Sequence, residues 1–221
     1  MEFLQRSLSD IATTIGGAAA VLREHNLDFC CVGEKTLEEA LLEQGVDSAT
    51  VLNQLKTVYD NNQQLVKDWS KESATKLIAH ILERYHAPHR EQLPELIFLA
   101  SKVERVHKDK EYCPAGLAEL LRDFQHELDS HMIKEEQILF PMLGGGIYPN
   151  GPINVMQEEH QEHMDVIEQV YALTQTLQAP ENACNAWRAL YLGLQTFVDD
   201  LMQHIALENY FLFAPQKFEE Q

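Results

Sequence analysis

The sequence predicts an all-α protein: an antiparallel, up-down-up-down four-helix bundle preceded by a small helical N-terminal domain. Three observations lead there. Glycine and proline are scarce, 10 and 8 among 221 residues, which argues against a loop-rich β protein or a disordered chain. Apolar residues recur at helical spacing along most of the chain. The last two thirds divide into four long periodic segments joined by short loops, the pattern of antiparallel neighbours.

The N-terminal domain is expected at residues 1–60 as three short helical pieces. "SLSDIATTIGGAAAVLREHN" opens on a Ser/Asp start and carries Ile11, Ile15, Ala18, Ala19 and Leu22 on one helical stripe. "LDFCCVGEKTLEEALLEQG" holds a turn at Gly33, a capping box of Thr36 with Glu39, and a stop at Gly45. A third piece follows Asp47 with Val51, Leu52, Leu55 and Val58. Periodicity then fades, and 61–73 reads as a linker. The bundle is expected at 74–221. Its first helix spans about Ala74 to Val106, where Pro88 and Pro94 predict a kink or break near 88–94. The others span Pro114 to Leu143, Pro152 to Leu177 and Asn182 to Phe213, with "GGGIYPNGP" at 144–152 a loop.

Charge narrows the function classes. With 17 basic against 35 acidic residues the formal net charge is −18, a field that repels phosphate backbones and anionic lipid, so neither nucleic acid nor a membrane surface is an expected partner. No basic n-region leads into an apolar stretch, and nowhere do about 18 uninterrupted apolar residues occur. A cytoplasmic setting with reduced thiols is expected. The cysteines fit it: Cys30 and Cys31 are adjacent, a poor geometry for a relaxed disulfide, and no Cys-x-x-Cys occurs. Cys113 and Cys184 read as buried small hydrophobes.

One pattern asks for chemistry. "HMIKEEQILFP" at 131–141 and "HIALENYFLFAP" at 204–215 each place a carboxylate four residues after a histidine, then an apolar Leu-Phe and a proline. Positions i and i+4 share a helix face, so His131 projects with Glu135 and His204 with Glu208. Leu128, Met132, Ile138, Leu139, Leu201, Ile205 and Leu212 put that face on the core side. His86 lies 131 − 86 = 45 residues before the first pair, and His160 lies 204 − 160 = 44 before the second. The chain reads as two α-hairpins of one plan, converging four imidazoles and two carboxylates. That donor set suits a binuclear centre with Glu135 and Glu208 as bridges, with iron ranked first and room for an oxo or hydroxo bridge and a diatomic ligand. Glu127, Glu159 and Asp200 are candidates for the outer carboxylates that hold ligand rings. Glu136 is read as surface, and Pro141 as helping to end its helix. His89 and His163, three residues after a chosen ligand, remain register rivals, while His25, His80, His107 and His126 read as surface.

"RYHAPHREQLPELI", "KVERVH", "SHMIKEEQILFPM", "GPINVMQEEH", "DDLMQHIALEN" and "LDFCCVG" closely resemble the iron-sulfur cluster repair family, the repair-of-iron-centres proteins of the YtfE, ScdA and DnrN type. The resemblance covers nearly the full chain and departs from the pattern at Pro88. It implies a hemerythrin-like di-iron bundle behind a small domain bearing vicinal cysteines, with iron ligands at His86, His131, Glu135, His160, His204 and Glu208. It further implies repair of clusters damaged by oxidative or nitrosative stress, by iron donation or by nitric oxide binding or reduction. Damaged iron-sulfur proteins are then the clients, nitric oxide or oxygen the small ligand, and a homodimer the assembly. The alternative is a hemerythrin-like reversible oxygen or nitric oxide binding module, which has no need of a thiol function at Cys30 and Cys31. A zinc or manganese bundle is a third reading.

Overall fold

The structure is a computed structural model that describes residues 3–61, 68–215 and 218. Among the described residues it is helical throughout, with no strand beyond one isolated antiparallel bridge between Ser7 and Thr36. Two compact units are present: Met1–Ile81 with Gly146–Tyr148 and Asp199–Gln221, and Leu82–Gly145 with Pro149–Val198. Six of the thirteen residues of the linker expected at 61–73, namely 62–67, lie outside the described residues. Among the described residues no helix is long and apolar enough to cross a membrane.

The first unit begins with a 3-10 turn and α1 (Leu8–Thr14), which Ser7 caps by accepting the Asp10 N–H at 3.2 Å. The single helix expected across "SLSDIATTIGGAAAVLREHN" is broken: α2 (Ala18–Glu24) starts afresh after Gly17, whose φ of 86° is the left-handed conformation that glycine takes at little cost. Both pieces still bury the predicted stripe, including Ile11, Ile15, Ala18 and Leu22. The capping box at Thr36 and Glu39 starts α3 (Leu37–Gln44), and Gly45 ends it at φ 65°. α4 (Ser48–Asn61) follows, with Val51 and Leu55 buried. The same unit contains α5 (Ala74–Ile81).

The second unit opens on a π-turn, Leu82–His86, and continues into α6 (Ala87–His107). The irregularity therefore falls upstream of the 88–94 kink expected from the prolines. Pro88 follows directly on that π-turn, in the first turn of α6, and Pro94 is accommodated inside the helix. Then come α7 (Leu117–Lys134), a second π-turn at Glu135–Leu139, α8 (Phe140–Gly144), α9 (Asn150–Thr174) and the first part of α10 (Asn185–Leu207), whose residues from Asp199 on belong to the first unit. Pro141 does not end its helix: it lies in the first turn of α8, which runs on to Gly144. Ile138, expected on the core face, is 55% exposed while Leu139 is buried, because the wider π-turn shifts the 3.6-residue period.

Alternating steps of three and four residues define the buried stripes. On α9 they run Ile153, Met156, His160, His163, Ile167, Val170 and Thr174; on α6 they run His89, Leu93, Leu96, Ala100 and Val103. Such stripes are the seams of a bundle. α6 packs on α7 and α7 on α9. Cys113 and Cys184 are not in this core: the first is half-buried and the second exposed, with its Sγ 3.2 Å from His107 Nε2. They lie in the loops that flank α7 and α10, where the seam has no position for them.

Candidate metal centre

In the second unit, polar residues occupy seam positions that elsewhere hold leucine. His131 and Glu135 continue the α7 series Leu121, Phe124, Leu128; His86 stands one step before His89; His160 stands between Met156 and His163. All four predicted residues of this unit, His86, His131, Glu135 and His160, are at most 1% exposed. His86 Nε2 lies 3.4 Å and His131 Nε2 3.5 Å from the same Glu135 oxygen, Oε2. The rings of His131 and His160 are 4.9 Å apart, and both offer a ligand atom within 4.8 Å of one on Glu135.

The outer nitrogens explain why the inner ones face Glu135. His86 Nδ1 donates to Glu136 Oε1 at 2.9 Å, and His131 Nδ1 donates to Glu159 Oε2 at 2.8 Å. A ring that carries its proton on Nδ1 presents a lone pair at Nε2. Two lone pairs then look at one buried carboxylate oxygen, an arrangement that calls for positive charge between them. Carboxylate–histidine–metal geometry has this form: the outer acid fixes tautomer and ring orientation, and the inner nitrogen binds the ion. Imidazole and carboxylate donors fit iron, so the residues present fit the metal the sequence suggests.

In the first unit His204 Nε2 lies 3.0 Å from Glu208 Oε1, both 1% exposed or less. Glu208 opens a third π-turn, Glu208–Leu212, and its carbonyl accepts the Phe213 N–H at 2.7 Å, five residues on. The Glu135 carbonyl accepts the Phe140 N–H in the same way. Both predicted carboxylates thus stand at the first residue of a π-turn, an irregularity common at functional sites. A motif at fixed spacing cannot reveal it.

The outer carboxylates divide. Glu159 holds His131 and also pairs with Lys134. Glu127 is exposed, beside Glu159 in a polar groove of about 330 Å³ that His126, Ser130, Lys134, Glu162 and His163 complete. Asp200 is buried. Glu136, which the sequence leaves as surface, was missed: it accepts from both His86 and Arg90, the latter at 2.7 Å. Burial pushes its carboxyl up, but the hydrogen bonds from Arg90 and His86 outweigh that and hold it below the usual carboxylate range. The signal was the acid directly after Glu135, hidden because an ideal helix turns it about 100° away. The rivals are buried too, against aromatic edges: His89 lies 5.2 Å from the Phe197 ring and His163 5.4 Å from that of Phe124. Of the histidines expected at the surface, only His126 is exposed; His25, His80 and His107 are half-buried. His25 bonds Gln54 at 2.6 Å, and His80 and His107 pack on Trp69 and Trp187.

The vicinal cysteines lie in the first unit, in a tight loop. Asp28 Oδ1 accepts the backbone N–H groups of Cys30 and Cys31 at 2.9 and 3.0 Å. Asn209 Nδ2 donates to the Cys30 carbonyl at 3.0 Å, and the Gly33 N–H donates to the Tyr210 hydroxyl at 2.7 Å. A Cβ at Gly33 would lie 2.2 Å from the Phe29 carbonyl oxygen, which explains the glycine. The two residues after Glu208 therefore hold the thiol loop. The Cys31 hydrogen bond and then burial raise the Cys30 thiol well above its ordinary range, and burial likewise raises the Tyr210 hydroxyl.

Residues 77–214 match the hemerythrin HHE cation binding domain, and residues 4–59 match ScdA_N, described as a domain of unknown function. The chain is 45% identical over 215 residues to the iron-sulfur cluster repair protein YtfE of Dickeya chrysanthemi, a match covering 96% of this chain and 97% of the relative. Its Cronobacter sakazakii counterpart is 46% identical over 215 residues, covering 96% of each. That of Yersinia pseudotuberculosis is 47% identical over 218 residues, covering 96% of this chain and 97% of the relative. With the hemerythrin domain, the ScdA_N domain and near-complete coverage of these relatives, the chain belongs to the iron-sulfur cluster repair protein family.

Proposed function

We propose that this protein takes part in repairing iron-sulfur clusters damaged by oxidative or nitrosative stress. In this reading the bundle domain at 74–221 holds a binuclear non-haem iron centre through His86, His131, Glu135, His160, His204 and Glu208, with the two glutamates as bridges. The carrying observation is the pair of imidazoles whose inner nitrogens face one Glu135 oxygen while Glu136 and Glu159 hold their outer nitrogens. The family relatives, each named as a repair protein, support the same reading.

Bound iron supplies affinity for diatomic ligands and one-electron chemistry. The protein's part is positional. Glu136 and Glu159 accept the outer-nitrogen protons and so orient the His86 and His131 rings, and Phe140, stacked 5.6 Å from the His86 ring, covers it on that side. Repair proceeds by iron donation to a damaged cluster, by nitric oxide binding or reduction, or by both. Damaged iron-sulfur proteins are the clients, and the protein works in the cytoplasm as a homodimer. The domain at 1–60 contributes the thiols of Cys30 and Cys31, joined through 61–73.

Mössbauer spectroscopy with metal analysis of anaerobically purified protein tests the reading. A binuclear iron signal that disappears in His131→Ala and His204→Ala supports the centre. Movement of that iron into an apo-cluster protein supports donation, and nitrous oxide formation supports reduction. Wild-type protein without iron, or iron unchanged in both variants, removes the assignment.

A further inference from the structure

A second cluster of metal-type donors lies outside the proposed iron centre. Asp28, Cys30 and Cys31 each offer one ligand atom within 4.8 Å of the others. The two sulfurs are 3.9 Å apart. That is far beyond the roughly 2.05 Å of a disulfide. It is close to the ~3.8 Å that separates two thiolates bound at ~2.3 Å to one tetrahedral ion. Cys30 Sγ stands 3.2 Å from Asp28 Oδ1, near the ~3.5 Å edge between a thiolate and a carboxylate oxygen in such a site.

The loop is preorganised. Its carboxylate is fixed by two backbone N–H groups, its first thiol is fully buried, and its backbone is anchored by Asn209 and Tyr210. A buried thiol with a carboxylate and a second thiol against it is a costly arrangement that a cation would relieve. Cys31 is half-exposed, so an ion reaches the pair without the fold opening.

We propose that Asp28, Cys30 and Cys31 form a separate mononuclear site for a thiophilic divalent cation of the Fe²⁺, Co²⁺ or Zn²⁺ class. Binding forms two metal–sulfur bonds and one metal–oxygen bond, and the two thiol protons pass to solvent. Three protein donors leave the fourth tetrahedral position for water or for a ligand from a partner, which makes the site an exchangeable one rather than a closed structural one. It stands independently of what the iron centre does.

Cobalt titration of the full-length, iron-loaded protein with reduced thiols tests it under anaerobic conditions. Thiolate-to-cobalt charge-transfer absorption and equilibrium dialysis are read together. One additional cobalt per chain with a two-thiolate band is expected. Cys31→Ser, whose side chain is half-exposed, loses about half the band and binds ~10-fold or more weakly; Asp28→Asn keeps the band with ~10-fold weaker binding. A far-UV circular dichroism spectrum equal to wild type shows that each variant is folded, and Cys30→Ser provides a second thiol variant. Absence of the band, or a band that survives unchanged in both cysteine variants because Cys113 or Cys184 supplies it, overturns the proposal.

Discussion

Glu136 illustrates how one residue converts a core histidine into a candidate ligand. Burial at a bundle seam does not by itself make a histidine a ligand: His89 sets its ring against Phe197. His86 differs because Glu136 and Arg90 form a hydrogen-bonded chain behind it, which fixes the tautomer and aims Nε2 inward. Glu136→Gln removes the acceptor charge and leaves the ring free to carry its proton on either nitrogen. Iron affinity is expected to fall about 10–100-fold, read by chelator competition, with far-UV circular dichroism unchanged. An affinity equal to wild type would show that His86 needs no partner. The i, i+4 pairing of His131 with Glu135 and of His204 with Glu208 was legible in the sequence; the role of Glu136 was not, since it depends on a residue 50 positions away.

At the scale of elements, caps and stripes were readable and irregular turns were not. Thr36, Glu39 and Gly45 bound α3 as their chemistry predicts. The π-turns at His86, Glu135 and Glu208 have no composition of their own, and they move Ile138 outward and Leu139 inward. The capping carboxylates carry a pH dependence. Hydrogen bonds from Thr36 lower Glu39, and those from Thr50 and Ala49 lower Asp47. Their folded values lie below their unfolded ones, so their stabilisation is complete above the unfolded values, about pH 4. It is lost as pH falls through the depressed folded values. The urea midpoint is expected to drop more steeply below about pH 4 in wild type than in an Asp47→Asn, Glu39→Gln variant. Parallel curves would show that the caps contribute nothing by charge.

For the whole molecule, burying imidazoles and carboxylates costs stability that a bound cation would offset. Iron loading is therefore expected to raise thermal stability. With free iron about 1,000-fold above its dissociation constant the gain is about 4 kcal/mol. For a chain of this size that corresponds to a Tm rise on the order of 10 °C. Scanning fluorimetry of chelated and iron-loaded protein checks it, and coincident curves would count against metal binding. The net charge of −18 adds a second consequence: the acidic field draws cations in and keeps polyanions away.

By itself the sequence determined the helical class, the four long segments, the doubled His-x-x-x-Glu plan and the family. All of these rest on local periodicity and fixed spacing, which a linear chain records. Only the tertiary structure decided that Glu136 and Glu159 stand behind His86 and His131, and that Asn209 and Tyr210 hold the loop of Cys30 and Cys31. The reason is physical. Those contacts join residues tens to nearly two hundred positions apart, and which side chains meet depends on where π-turns and glycines shift each helix face.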